Sequence, residues 1–229
     1  MTHGSTRHEV LAVIFQIREV ADRPQLCVLL WKRAMEPQVN AWSLPGGILG
    51  ARENLNESVL RQLAEKVDVR EVAHLEQLSI FSEPDRMPGP RTVASTFLGL
   101  IPRTADPHLP DDTSWHPVAA LPEMAFDHRT MVLHAQSRLA AKLSYTNIAF
   151  ALAPAEFTMS GLREIYCAAL GYPVDATNLQ RVLTRRAVLT PTGETARVGR
   201  SGGRPAALYR FSDRTLRVTD EFAALRPPG

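Results

Sequence analysis

Cysteine is almost missing from this chain: 229 residues hold only Cys27 and Cys167, far apart and each among apolar neighbours. That excludes a disulfide scaffold and a cysteine-bound metal cluster, and it reads as two buried thiols in a reducing compartment, with cytoplasm as the expected location. No stretch approaches the roughly 18 apolar residues that a membrane helix needs, and the opening MTHGSTRHE lacks the apolar core of a signal peptide, so neither a span nor secretion is expected. Lysine is scarce throughout, with only Lys32, Lys66 and Lys142. Residues 155–229 contain eleven Arg and no Lys against seven acids, a local charge of +4 in a chain whose net charge is +2. The remainder is therefore −2, and the basic charge is segregated into the tail.

What is present predicts two modules, 1–150 and 155–229, with 45% hydrophobic residues to build their cores. Residues 9–17 and 26–31 are rich in Val, Leu, Ile and Phe and read as strands of one sheet. Further strands are expected at 74–81 and 92–101, and a helix at 129–143 with Met131, Val132, Ala135, Leu139 and Leu143 as its apolar stripe. Strands interleaved with helices predict an α/β class. His116 and His128 have no partner at ligand spacing and read as structural or surface residues. No Ser-His-Asp arrangement is evident.

The most informative stretch is 42–69, WSLPGGILGARENLNESVLRQLAEKVDV. A Gly-rich turn (Gly46, Gly47, Gly50) precedes a helix on which Leu55, Val59, Leu63 and Val67 form a buried stripe. The opposite face carries Arg61, Gln62, Glu65 and Lys66. Acids at 62, 65 and 66 would converge on one divalent cation, the device by which a diphosphate hydrolase polarises phosphate and activates water. Only Glu65 is acidic. Gln62 keeps an oxygen but no charge, and Lys66 supplies a cation where a cation would bind.

This stretch resembles the Nudix signature, with Gly47, Glu53, Arg61, Leu63, Glu65 and Val69 in register and with Gln62, Lys66 and Asp68 departing from two metal-binding glutamates and a glycine. The resemblance implies an α/β/α sandwich, and the departures put ordinary hydrolysis in doubt: no catalytic and no metal-ligating residue is assigned. Fixed cations can hold a diphosphate without metal, because guanidinium matches phosphate oxygens in a bidentate way. Lys32 and Arg33 before the turn, and Arg86 and Arg91 around the loop 83–90, are the candidates, with Trp42, Gly46, Gly47 and Glu53 completing an expected effector site.

Residues 143–154 join the modules and are too apolar for a free linker, so a fixed joint is expected. Beyond it, Thr158 caps a helix that ends at Gly171, and Asp175 caps a second, DATNLQRVLTRRAVL, with Leu179, Val182 and Leu183 inward and Asn178, Arg181 and Arg185, with Arg186 beside it, expected to face DNA. Such a helix in the major groove offers Arg to guanine and Asn to adenine edges. Residues 190–194 read as a turn. Residues 196–211 read as two extended pieces around a Gly-rich tip, a wing whose Arg197, Arg200 and Arg204 would neutralise phosphates. Residues 213–225 read as a closing turn or helix.

A Nudix-like part followed by FT(x)3L(x)3Y, D(x)2N(x)2R and GRPAALYRF resembles the bacterial Nudix-related transcriptional regulators of NAD metabolism over almost the whole chain. The resemblance implies a homodimer with a C-terminal winged helix-turn-helix, a palindromic double-stranded DNA operator, repression of NAD synthesis or salvage genes, and no required cofactor beyond ADP-ribose or a related NAD-derived effector. It places Asn178 and Arg181 on the recognition helix and Arg204 and Tyr209 on the wing. The alternative is a weakly active ADP-ribose pyrophosphatase with a nucleic-acid-binding appendage; an RNA-binding protein is disfavoured because the tail lacks an aromatic ladder.

Overall fold

The computed structural model describes residues 6–196 and 205–220. Contacts divide the chain into two compact units: the first holds the chain up to Gln16 with Leu26–Ile101 and Ala105–Arg138, and the second holds Ile17–Gln25, Pro102–Thr104 and the chain from Leu139 onward. This division differs from the expected one at 1–150 and 155–229. The physical reason lies in the segment after residue 138, whose polar groups bond to residues 213–219, as described below.

The first unit is built on a mixed sheet in the order β3 (Trp42–Ser43), β2 (Arg23–Lys32), β1 (Arg7–Val20), β6 (Thr92–Leu100), β5 (His74–Phe81), with β4 (Gly46–Ile48) added to β1 and β7 (Thr113–Pro117) to β2. β1 and β6 run parallel from Arg7 opposite Thr92 to Phe15 opposite Leu100; β4, β7 and β5 pair antiparallel with their neighbours. Val10 to Ile17 of β1 are buried without alternation, the pattern of a strand covered on both faces. Val10, Ala12, Ile14, Leu29 and Phe97 meet Val59, Leu63 and Val67 of the helix α1 (Leu55–Val67) in one core cluster.

α1 starts on a reciprocal capping box: the Asn54 side chain accepts from the Glu57 amide, and the Glu57 carboxylate accepts from the Asn54 amide. It ends at Asp68 with φ +50°, a left-handed cap that glycine adopts freely and Asp tolerates. The departure at position 68 is thus accommodated by the same backbone. On the face opposite the apolar stripe, Gln62 is only 4% exposed, because the β4 turn lies across that side of the helix.

In the second unit α3 (Met159–Leu170) is capped by Thr158, whose hydroxyl accepts from the Gly161 amide, and closes at Gly171 with φ +78°. α4 (Ala176–Arg185) is capped by Asp175 and buries Leu179 and Leu183. Three strands complete the unit in the order β8 (Phe157–Thr158), β10 (Ala207–Phe211), β9 (Leu189–Thr195). The expected turn at 190–194 is therefore a strand. β9 is an edge strand, where the missing amide hydrogen of Pro191 costs little, and Gly193 with φ +84° adapts its path.

The helix expected at 129–143 runs as α2, His128–Tyr145. The joint that follows contains a buried 3-10 turn at Ile148–Ala151. Asn147, 1% exposed, donates to the carbonyls of Asp213 and Thr215 and accepts from the Arg217 amide, and Thr146 bridges to Val218. The described part of the expected closing segment is thus an irregular strap and not a helix. Cys27 is buried as expected, whereas Cys167 is only half-buried and its sulfur accepts from the Val174 amide.

Candidate functional site

The Gly-rich turn is held by close approach on both sides. A Cβ on Gly46 would lie 2.3 Å from the Val10 carbonyl oxygen, and a Cβ on Gly47 would lie 2.8 Å from the Gln62 amide and 2.9 Å from Lys66 Nζ. Only glycine lets the turn sit between β1 and the polar side of α1. Further along, the Gly50 amide donates to Glu53 Oε1 at 2.6 Å, and Arg61 donates to both oxygens of Glu53 at 2.6 and 2.8 Å and to Glu65 at 3.0 Å. The Arg61 guanidinium, helped by the Gly50 amide, holds the Glu53 carboxyl down to about 2. Arg61 is itself held above its ordinary value, Glu53 first and Glu65 second.

Lys66 leans into the turn. Its ammonium donates to the Gly46 carbonyl and lies 4.8 Å from the centre of the Trp31 ring. Burial lowers its pKa, partly offset by the nearby Glu9 carboxylate. The donor set does not suit a divalent cation: an ammonium already holds the turn carbonyl, Gln62 is uncharged, and Glu53 and Glu65 are both tied to Arg61. Among the described residues no group of three or more His, Cys, Asp or Glu side chains converges on one point.

A cleft of about 640 Å³ in the same unit is lined by Gln38, Asn40, Trp42, Glu123, Met124 and Phe126. Two cations stand over its aromatic walls: Lys32 Nζ is 5.3 Å from the Trp42 ring centre and the Arg33 guanidinium 4.8 Å from that of Phe126. Gln38, Asn40 and Phe126 all have φ between +51° and +65°, a conformation that side chains with a Cβ pay for and that clusters at ligand sites. The Trp42 carbonyl accepts from the Ala125 amide, and its ring packs edge-on against His116 at 4.3 Å. The structure thus sets Lys32 and Arg33 against the rings of Trp42 and Phe126, two residues that line this cleft, and brings Gly46, Gly47 and Glu53 together at the turn.

The two remaining candidates are placed differently. Arg86 is no solvated loop charge: its side chain is 1% exposed, with two bonds to Asp127 at 2.8 and 3.0 Å and one to Glu9 at 3.0 Å. Burial opposes its charge most, yet Asp127 and then Glu9 outweigh it and its pKa is raised. Arg91 stays exposed and donates to the Ser82 carbonyl. Sequence reading missed Glu9 and Asp127 as partners of Arg86, since 77 and 41 residues separate them from it. His128 is structural: its Nδ1 accepts from the Leu44 amide just before the turn, and burial, with Arg86 and Arg33 adding, lowers its pKa to about 3.

In the second unit Asn178 and Arg181 lie exposed on α4, and Arg181 Nη2 donates to Asn178 Oδ1 at 2.7 Å. Arg185 is exposed on the same helix. Arg186 corrects the expectation of a DNA-facing cation: its side chain is 11% exposed and paired with Asp220 at 2.7 Å, because it follows the last helical turn and points inward. Arg197, Arg200 and Arg204 lie outside the described residues. The strands flanking them, β9 and β10, pair antiparallel, and Tyr209 of β10 is half-buried opposite Phe157 and Pro191.

Known proteins share this architecture. A family model for the NUDIX domain matches residues 7–135, and one for the NrtR DNA-binding winged helix domain matches residues 149–211. The chain is 30% identical over 198 residues to the "ADPR responsive transcriptional repressor NtrR" of Acinetobacter baylyi, covering 83% of this chain and 78% of that protein. The crystal structure of Shewanella oneidensis NrtR complexed with a 27mer DNA superposes with a TM-score of 0.74 at 29% identity, covering 89% of this chain and 93% of that one. The NUDIX domain of the same Shewanella protein, complexed with ADP ribose, superposes with a TM-score of 0.50 at 31% identity over 59% of this chain and 89% of that one. The Nudix match covers more than half of the chain and the winged-helix match a second stretch at 149–211, so the protein belongs to the NrtR-type Nudix-linked transcriptional regulators.

Proposed function

We propose that this protein represses transcription of genes of NAD synthesis or salvage by binding a palindromic double-stranded DNA operator as a homodimer, and that ADP-ribose or a related NAD derivative controls it. The observation that carries the DNA reading is the Asn178–Arg181 pair, exposed on α4 and mutually oriented, in a chain similar over most of its length to a regulator solved on DNA. For the effector, a cleft lined by Trp42 and Phe126, with Lys32 and Arg33 stacked on those two rings, supports a site that couples aromatic faces to fixed cations, the chemistry a nucleoside diphosphate sugar requires. Glu53, Gly46, Gly47 and Arg91 remain proposed contributors from the turn and the loop 83–90. A single winged helix reads few base pairs, so useful affinity calls for two copies on half-sites about 34–36 Å apart or a multiple of that. Ile80 on the edge strand β5 and Leu133 on α2, both exposed and apolar on neighbouring elements, offer the first unit's face for that pairing.

Binding without turnover is the second half of the reading. Lys66 holds the turn carbonyl by itself, which supports a site that recognises ADP-ribose without cleaving it. Fluorescence anisotropy on operator duplex, titrated with ADP-ribose, NAD and nicotinamide mononucleotide, tests the proposal. Linkage requires ligand and operator to change each other's affinity by one factor, about 5- to 150-fold for ordinary allostery, with release of DNA as the expected sign. Equal operator affinity with and without saturating ligand would overturn the control, and monomeric light scattering on the operator would overturn the dimer.

A further inference from the structure

The helix α4 has an inward and an outward side, and its burial pattern separates them. A cleft between α3 and α4 is walled on the α4 side by Asn178, Leu179, Val182, Leu183 and Arg186. Leu179 and Leu183 are buried there, and Val182 and Arg186 are half-buried. Positions 179, 182, 183 and 186 follow the spacing of one helix face. Half a turn away, Thr177, Arg181 and Thr184 stand at i, i+4 and i+7; all three are exposed, and none of them lines that cleft. This stripe is the side of α4 turned away from its own unit. The longer exposed side chains Gln180 and Arg185 flank it, one on each side. Asn178 lies nearer the cleft, and its Oδ1 accepts from Arg181 Nη2 at 2.7 Å.

We propose that Thr177 and Thr184 each read a thymine, one on either side of the base contacted by Arg181. The inference rests on the reading of α4 as the helix that enters the major groove, and it adds which further residues discriminate there. A groove about 12 Å wide only just admits a helix about 10–12 Å across, so the outermost stripe meets the base edges and the flanks meet the groove walls. Two short side chains at the ends of that stripe let the backbone come close to the bases, and the longer Arg181 projects between them. A Thr hydroxyl both donates and accepts, so it selects little among base edges. Its methyl does select, because thymine alone presents a methyl group in this groove. Along the helix axis the two threonines are about 10 Å apart at about 1.5 Å per residue, or about three base-pair steps of about 3.4 Å. Both thymines therefore fall within about two base pairs of the Arg181 contact.

Selection of random duplexes on the full-length protein supplies the binding sequence, and each thymidine in it is then replaced singly by deoxyuridine, which pairs identically and lacks only the methyl. In fluorescence anisotropy the wild type should lose about fourfold in affinity at two positions of each half-site, the worth of one buried methyl group. Thr177→Ser, which keeps the hydroxyl and removes the methyl, should become indifferent to the replacement at one of these positions, and Thr184→Ser at the other. Thr177→Val and Thr184→Val, which keep a methyl, should retain the wild-type pattern. A pattern unchanged in either Ser variant would overturn the assignment of that residue, and a wild type indifferent to every replacement would overturn both, with sequence-selective binding still intact. A selection that enriches no sequence would instead defeat the reading of α4 as a groove-entering helix, and this assignment with it.

Discussion

The Lys66 ammonium lies over the Trp31 ring, 4.8 Å from its centre, while it donates to the Gly46 carbonyl. One side chain thereby ties the helix to the glycine turn and supplies a positive charge from within the protein.

Turnover of ADP-ribose in the presence of Mg²⁺ or Mn²⁺ is therefore expected to be absent, or at least about a hundredfold below that of an active Nudix enzyme, since a metal-stabilised transition state is worth several kcal/mol. Gln62→Glu with Lys66→Glu should restore part of a metal site and measurable phosphate release in a coupled assay. Wild-type turnover near about 1 per second would refute this.

The Arg86–Asp127–Glu9 cluster should act on stability and not on ligand recognition. Removing one member of a buried ionic group strands the others, at a cost of about 3–5 kcal/mol. Arg86→Met should lower the thermal midpoint by roughly 10 °C, whereas the ADP-ribose dissociation constant, measured by calorimetry well below that midpoint, should stay within about twofold. A large loss of affinity with unchanged stability would return Arg86 to the effector site.

His128 should make the fold sensitive to mild acid. Its pKa falls from 6.5 in the unfolded chain to about 3 in the folded one, so between those values the unfolded chain takes up a proton that the folded one refuses. Stability is complete above pH 6.5 and declines as pH falls through that window, by up to several kcal/mol. His128→Asn, which keeps an acceptor for the Leu44 amide, should flatten the dependence between pH 4 and 6.5 in urea titrations. An unchanged slope would show that other groups control it.

Asn178 and Arg181 should behave as one reading device. If each contacts a base, either alanine substitution costs roughly 1–3 kcal/mol against the preferred operator and relaxes selectivity there. Because Asn178 Oδ1 orients the guanidinium, the double variant should lose less than the sum of the singles. Arg204→Ala, in the expected wing, should instead weaken all duplexes evenly and reduce the salt slope by about one unit. Equal losses on operator and random duplex for all three would show that α4 does not read bases.

The sequence announced the elements whose signals are local. The capped α3 and α4, the α1 stripe and the strands β1, β2, β5 and β6 follow from periodicity and from residues a few positions apart, whereas the short β3 and β4 sit in what read as a glycine turn. What stayed hidden depends on partners far along the chain. Arg86 looked like a loop cation because Glu9 and Asp127 cannot be paired with it by inspection. Arg186 looked like its neighbour Arg185 until the turn after α4 directed it toward Asp220. Lys66 is the intermediate case: its charge marked the broken motif, but only the fold shows that the ammonium holds the turn. The turn expected at Thr190–Glu194 failed because Pro and Gly signal a turn only when no edge strand is on offer.

The strap around Asn147 bears on where this protein can be cut. The winged-helix match ends at residue 211, yet the buried Asn147 side chain is satisfied by backbone groups of Asp213, Thr215 and Arg217, and Tyr145 accepts from the amides of Thr219 and Asp220. An excised module ending at Phe211 would expose those carbonyl and amide partners' places to solvent or leave them empty. Its instability would reflect the choice of terminus and not a dependence on the Nudix part, so an isolated reading head has to begin before Tyr145 and run through Asp220.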